Sequence, residues 1–188
     1  DTAPVGSYLA GATPLGIADL SGNVWEWVSS LDAAYPYSAA DGREAATDPG
    51  KRVVRGGSFY YTQYQIRCTA RTGFTPDTTS QHTGFRVVIN EPVTQWRHAV
   101  DQAMYVYVPA GEFTMGSTPE TAASPREEPE HAVTVAGFWV QQTETTNAQY
   151  ARCVAAQACT PPANDRWEAA VYAAHPVTDV NWEQATAY

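Results

Sequence analysis

Turn-forming residues interrupt this sequence so often that long helices have little room. Thirteen glycines and 13 prolines are spread over 188 residues, and 11 tyrosines and six tryptophans accompany them. Glycine and proline end regular elements, whereas large aromatic side chains favour strands. A chain of this length can bury roughly 70% of its unfolded surface in one core. The pattern predicts a loop-rich, strand-containing α+β domain rather than a helical bundle.

The charge of the chain argues against one class of partner. The formal net charge is −9, whereas a nucleic-acid ligand needs a basic face to pair with its phosphates. The imbalance is uneven: residues 1–90 carry −1 and residues 91–188 carry −8. No stretch reaches the roughly 18 apolar residues of a membrane-spanning helix. We therefore expect no nucleic-acid partner and no membrane segment.

Short strands are predicted where apolar residues alternate or run together. The segment 84–89 is almost continuously apolar, which favours a buried strand. Residues 60–71 are predicted to form a short helix or an irregular turn, and 74–82 a loop. The predicted strands are 24–28, 52–59, 84–89, 104–108, 111–116, 131–135 and 138–140.

Two helices are predicted near the end of the chain. One spans about 147–157, and the other begins near 181–183. Each is preceded by residues whose side-chain oxygen can accept from the first-turn N–H groups. These candidate caps are Thr145 or Thr146 for the first helix and Thr178 or Asp179 for the second.

Three cysteines limit the possible cross-links. Cys153 and Cys159 are close in sequence and are the candidate disulfide, provided that the helix ends between them. If the helix continues through both positions, the sulfurs point in different directions and the bond cannot form. Cys68 then has no partner within the chain. Since disulfides persist in oxidising compartments, an extracellular or periplasmic location is expected.

Several motifs resemble the formylglycine-generating enzyme, or sulfatase-modifying factor, family. The segments that resemble the C-terminal half of its domain are GNVWEW at 22–27, RVVRGGSF at 52–59 and GFRVV at 84–88. Those that resemble its N-terminal half are YVPAGEFTMG at 107–116, PEHAV at 129–133 and ETTNAQY at 144–150, continued at 176–185. The resemblance implies an irregular, loop-rich α+β fold related to C-type lectins.

The two halves occur in reversed order, and the middle segment of the family domain is missing. The resemblance therefore implies a C-terminal half at 1–89, a linker at 90–103 and an N-terminal half at 104–188. A window on tandem repeats would produce this order, and so would a circular permutant. In the first case each half is completed by another copy or a neighbouring repeat, and such head-to-tail contacts build filaments. Closure of the two halves on each other within one chain is the alternative.

The residues that carry the chemistry of the family are absent. Its enzymes oxidise a substrate cysteine with a copper-binding cysteine pair just after the Gly-Gly-Ser-aromatic motif, but residues 60–66 contain no cysteine. A tyrosine oxygen does not replace a soft thiolate ligand. Cys68 matches a family cysteine that is structural. The resemblance thus implies a noncatalytic domain, an extracellular structural or binding module. The alternatives are an oxidase with another metal site and a lectin-like carbohydrate binder.

One metal site of the family has counterparts in this sequence. By resemblance, calcium would be held by the side chains of Asp19 and Glu26 and by the backbone carbonyls of Gly22 and Val24. Calcium prefers such hard oxygen ligands from a flexible loop. In the alternative interpretation Asp19 caps a turn and Glu26 pairs with an arginine. The four histidines have no spacing typical of a metal site.

Overall fold

The structure, a computed structural model, describes residues 1–90 and 100–188. Within those residues nine strands form three sheets, and two α-helices follow them. The strands are β1 Trp25–Leu31, β2 Arg52–Arg55, β3 Arg71–Phe74, β4 Thr83–Gly84, β5 Val88–Ile89, β6 Tyr105–Val108, β7 Gly111–Met115, β8 His131–Val135 and β9 Phe138–Gln141. The helices are α1 Asn147–Ala155 and α2 Trp182–Ala187. None of these helices is long and apolar enough to cross a bilayer.

The largest sheet belongs to the first half of the chain. Its order is β3-β2-β1-β4, and β1 runs antiparallel to β2 but parallel to β4. Trp27 on β1 lies opposite Val54 on β2, and both side chains are buried. Strand β3 was not predicted, because the sequence Arg-Thr-Gly-Phe has neither alternation nor an apolar run. It forms because all four residues of β2 pair with it.

The second sheet joins the two halves of the chain. Its order is β5-β9-β6, so that β5 from the first half pairs with β9 from the second. The third sheet is the antiparallel pair β7-β8. The prediction of one buried strand over 84–89 is wrong, because Phe85, Arg86 and Val87 separate β4 from β5. The Phe85 carbonyl accepts a hydrogen bond from Thr145 N–H at 2.9 Å instead of taking part in a ladder.

One hydrophobic core is shared by both halves. Trp25, Trp27, Val54 and Phe85 pack in one cluster with Tyr150, Cys159, Val177 and Val180. The indole N–H of Trp27 donates to the Val180 carbonyl at 3.1 Å. At Gly84 a Cβ would lie 2.5 Å from the Val177 carbonyl, so only glycine permits this approach of the two halves.

This shared core favours the alternative, in which the two halves close on each other within one chain. Phe85 and Tyr105 are 2% and 4% exposed. Contacts within one chain therefore cover part of the segments around these two residues, whereas Val88 and Tyr107 remain 51% and 46% exposed. The alternative, intramolecular closure, is what the structure describes.

The helix caps are partly as predicted. Thr146 caps α1, and the Gln149 side-chain oxygen accepts from the Thr146 N–H, which completes a capping box. Asn181, not Thr178 or Asp179, caps α2. Asp179 lies two residues before this cap position, and its carboxylate accepts from the Asn164 amide at 2.8 Å.

Of the two alternatives predicted for residues 60–71, the irregular turn is the one observed over 60–70, and Arg71 begins β3. Most of the predicted linker at 90–103 lies outside the described residues.

Candidate functional site

The segment that follows the Gly-Gly-Ser-Phe motif forms a tight, tyrosine-rich loop. Gly56 and Gly57 both have positive φ angles, of 89° and 73°. A Cβ at Gly57 would lie 2.6 Å from the Gln65 carbonyl, which means that the loop folds back directly over this glycine. The Phe59 N–H donates to the Asn23 carbonyl at 3.0 Å, which fixes the loop to the turn before β1.

Four aromatic side chains of this loop face solvent. Tyr60 and Tyr64 are 70% and 61% exposed, and Phe59 and Tyr61 are partly exposed. We call these four residues the aromatic shelf. The ring of His82 stacks on Tyr60 at 5.4 Å and meets Tyr61 edge-on at 5.6 Å. Burial lowers the pKa of His82, so that the imidazole is neutral at pH 7.

A cavity of about 270 Å³ opens beside the shelf. Its aromatic lining is Trp25, Tyr61, Tyr64 and Phe74. Its other lining residues are Gln65, Ala70, Arg71, Thr72, Ala123, Ser124 and Glu127.

Two buried donors belong to residues that line this cavity. Among residues 1–90 and 100–188, neither Trp25 Nε1 nor Arg71 Nε has a hydrogen-bond partner. The Glu127 carboxylate is already held by Arg67, whose Nη2 lies 2.8 and 2.7 Å from the two oxygens. The lining thus includes two residues that carry unsatisfied buried donors, beside aromatic rings.

The predicted calcium residues lie near one another, but each carboxylate has a protein partner. Asp19, in a left-handed conformation with φ of 57°, accepts a hydrogen bond from the Gly6 N–H at 2.6 Å. Glu26 forms a two-pronged ion pair with Arg86, at 2.7 and 2.6 Å. Val24 is fully buried, and Gly22 has a φ of 100°. The structure thus shows the contacts of the alternative interpretation, in which Asp19 stabilises a turn and Glu26 pairs with an arginine.

A third carboxylate, which the sequence did not single out, belongs to this region. Glu144 is fully buried, and neither of its oxygens has a hydrogen-bond partner within the described part of the chain. Burial raises the pKa of Glu144 well above its usual range; Glu26 and Asp19 raise it further, while Arg86 lowers it. Three carboxylates therefore accompany one guanidinium, and a cation or a proton would neutralise the excess charge.

This charge excess is compatible with a calcium ion. No group of three or more His, Cys, Asp or Glu side chains arranged to hold a metal occurs in residues 1–90 and 100–188. The proposed calcium ligands include only two such side chains, together with two backbone carbonyls, so a search for three side chains does not find them. The unpartnered Glu144 supplies the further negative charge that a divalent ion needs. The donors present thus fit calcium better than they fit a softer metal.

The cysteines are arranged as a single bridge and one separate thiol. Cys153 and Cys159 are joined in a disulfide with a Cα–Cα distance of 5.3 Å. Helix α1 ends at Ala155, between the two positions. Cys68 is exposed and forms no disulfide with any described residue.

The described histidines and the buried Arg71 have structural partners. His131 Nε2 accepts from the Tyr37 N–H at 2.8 Å, and His175 contacts the Thr2 hydroxyl at 2.9 Å. Arg71 pairs with Asp32 at 2.8 Å, as expected for a buried guanidinium. His98 lies outside the described residues.

The fold and the loop define an α+β domain built around a Trp-Glu-Trp strand and a Gly-Gly-Ser-aromatic loop. The chain belongs to the sulfatase-modifying factor enzyme 1-like domain family, whose profile matches residues 1–91 and 92–188. The boundary between the two matches lies inside the predicted linker. No solved structure matches the chain.

Curated relatives include both active and inactive members. A formylglycine-generating enzyme of Thermomonospora curvata is 35% identical over 45% of this chain and 30% of the relative. An inactive C-alpha-formylglycine-generating enzyme 2 of Bos taurus is 41% identical over 38% and 21%. A formylglycine-generating enzyme of Mus musculus is 34% identical over 45% and 23%. The matches thus span less than a third of these relatives.

Proposed function

We propose that this chain is a noncatalytic member of the family that acts as a structural or binding module outside the cytoplasm. The observation that carries the proposal is the loop after the Gly-Gly-Ser-Phe motif, where the family holds its copper with two cysteines. Residues 60–66 supply tyrosines and glutamines there, and their rings form a surface instead of a metal centre. Two relatives whose names call them inactive, from cattle and mouse, show that the family includes such members.

The remaining sulfurs do not form a thiolate pair. Cys153 and Cys159 are bonded to each other, which leaves Cys68 as the one other cysteine of the sequence. Copper(I) prefers soft thiolate ligands, and a phenol oxygen is hard. A single exposed thiol does not supply the two-sulfur centre of the family's enzymes.

The location is inferred from the disulfide. Cys159 belongs to the shared core and Cys153 packs against it, and reducing compartments keep such cysteine pairs from forming disulfides. This supports an extracellular or periplasmic site of action.

Calcium is proposed as a structural ion of the module. Asp19 and Glu26 would bind it through their carboxylates, and Gly22 and Val24 through their carbonyls. When bound, the ion would supply positive charge next to Glu144 and tie the loop to strand β1. No catalytic role follows from it, because these residues lie apart from the cavity-lining set.

A copper-dependent oxidation assay tests the proposal. The chain is incubated with Cu(I), oxygen and a cysteine-containing sulfatase peptide, with the Thermomonospora curvata enzyme as positive control. We expect no conversion of the cysteine above the copper-only background. Copper-dependent turnover by this chain would overturn the proposal, and oxygen uptake supported by another metal would favour the oxidase alternative.

A further inference from the structure

The aromatic shelf is an uncharged surface on a strongly acidic chain. Residues 56–66 contain no charged side chain, although the net charge of the protein is −9. The exposed groups of this segment are mainly the four aromatic rings, the Thr62 hydroxyl and the side-chain amides of Gln63 and Gln65. Such a surface attracts neither polyanions nor cationic segments through charge, so a ligand must be recognised by shape, ring contact and hydrogen bonds.

The shelf is held in place before any ligand arrives. Tyr60 is fixed by the stacked His82 ring, and Tyr61 meets the edges of Tyr60 and Trp25 at 5.8 and 5.6 Å. The Tyr61 N–H donates to the Ser58 carbonyl at 3.0 Å, which fixes the turn below the rings. Preorganised rings lose little conformational freedom on binding.

The cavity next to the shelf has the chemistry of a polar ligand site. The unpartnered Trp25 Nε1 and Arg71 Nε are donors, whereas the Gln65 amide and the Glu127 carboxylate can accept from hydroxyl groups. A buried donor without an acceptor is unfavourable, so a ligand oxygen that reaches it contributes to binding. A volume of about 270 Å³ is below the range of drug-sized pockets and corresponds to one small ring rather than a folded peptide.

We propose that the aromatic shelf and this cavity together bind a neutral oligosaccharide, with one sugar ring in the cavity. This inference rests on the proposed function, because it requires that the former catalytic loop serves binding. The apolar C–H face of a pyranose ring packs on tyrosine and tryptophan faces, and its hydroxyl groups both donate and accept. Those are the two kinds of contact that the shelf and the cavity provide.

The rival ligand class is a proline-rich peptide, which also binds aromatic grooves. Such a peptide needs an open groove to receive consecutive turns. The space here is instead a cavity of about 270 Å³, and Tyr61 and Tyr64 of the shelf are part of its lining. The observations therefore favour the sugar, and the peptide becomes an outcome of the test.

Glycan-array screening followed by calorimetry tests the proposal with the full chain. The array carries neutral, sialylated and sulfated oligosaccharides, and the neutral oligosaccharide with the strongest signal is titrated. We expect Tyr60→Ala and Tyr64→Ala each to weaken binding about fivefold to tenfold, the effect of losing one ring contact. Tyr8→Ala is the matched control, because Tyr8 is 68% exposed and lies outside the shelf and the cavity lining; it should bind as the parent does.

A second variant addresses the donors rather than the rings. Trp25→Phe keeps an aromatic ring and removes the indole N–H, and its melting temperature shows whether it folds. We expect a folded Trp25→Phe to bind more weakly than the parent. The proposal is overturned if no neutral glycan binds, or if sialylated or sulfated glycans bind more strongly than neutral ones. It is also overturned if the variants bind as the parent does. A deca-proline peptide tests the rival ligand, and binding of this peptide that Tyr64→Ala abolishes would overturn the proposal as well. Oxidase activity would instead contradict the proposed function, whichever glycan result is obtained.

Discussion

At the residue scale, the buried pair of Glu26 and Arg86 changes how the calcium site must be tested. Exchanging Glu26 for glutamine removes a candidate calcium ligand, but it also leaves the Arg86 guanidinium, which is 5% exposed, without its carboxylate. Breaking a buried pair costs about 3–5 kcal/mol because the remaining charge is uncompensated. A loss of stability in this variant is therefore not specific to calcium.

We predict that Glu26→Gln lowers the free energy of unfolding by about 3 kcal/mol even in chelator. Urea denaturation at pH 7 with excess chelator measures it. Asp1→Asn is the matched control, because the Asp1–Arg166 pair is largely exposed, and exposed pairs contribute at most about 1 kcal/mol. Equal effects of the two changes would show that the buried pair is not formed.

The unpartnered Glu144 gives a sharper test of the metal. We predict that calcium raises the melting temperature of the parent by several degrees over chelator, since a ligand that binds only the folded state stabilises it. Glu144→Gln keeps the shape of the side chain and removes its charge, so it should reduce the calcium response while remaining stable in chelator. Identical melting temperatures of the parent with calcium and with chelator would refute a calcium site.

At the scale of elements, some local signals of the sequence predicted the structure correctly, whereas contacts between distant residues could not be predicted. The start of α1 at Asn147 was predictable, because a cap and its reciprocal partner lie three residues apart. Strand β3 was missed, since its pairing with β2 outweighs an unfavourable local sequence. The partners of Glu26 and of the Trp27 indole are 60 and 153 residues away. No pattern within a window of ordinary length contains them.

The capping box of α1 leads to the element-scale prediction. Thr146→Ala removes the acceptor for the Gln149 N–H and should lower the free energy of unfolding by about 1 kcal/mol. Thr186→Ala is the control; this exposed threonine lies inside α2 and only donates back to the Trp182 carbonyl, so a change within about 0.5 kcal/mol is expected. Chemical denaturation followed by circular dichroism compares them. A neutral Thr146→Ala would mean that the cap contributes nothing.

At the scale of the whole molecule, the shared core makes the two halves one cooperative unit. The sequence correctly indicated a family and an α+β fold, and its two motif groups in reversed order suggested separate halves. It could not indicate that β5 pairs with β9, because Val88 and Ile89 carry no signal of their partner. The candidate site was only half predictable for the same reason: the tyrosines are visible at 60–64, but His82 and Glu127 reach them through the fold.

We predict a monomer that unfolds in a single transition. Light scattering at micromolar concentration should give a mass near 20.4 kDa. Tryptophan fluorescence and far-ultraviolet circular dichroism should report the same midpoint, because Trp27 and Trp182 each donate to a carbonyl of the other half. Two separate transitions, or a mass that grows with concentration, would favour independent halves that seek other partners.

The bond between the Trp27 indole and the Val180 carbonyl also has a consequence for biosynthesis. The ribosome adds Trp27 to the growing chain 153 residues before it adds the acceptor, Val180. At ordinary rates of elongation this separation takes roughly 10–30 s. During that interval the apolar face of the first sheet has no partner from the second half to cover it. Holdase chaperones or rapid export would shorten that exposure, and a stalled or truncated product would aggregate. Folding of this domain therefore waits until the segment around Val180 has left the ribosome.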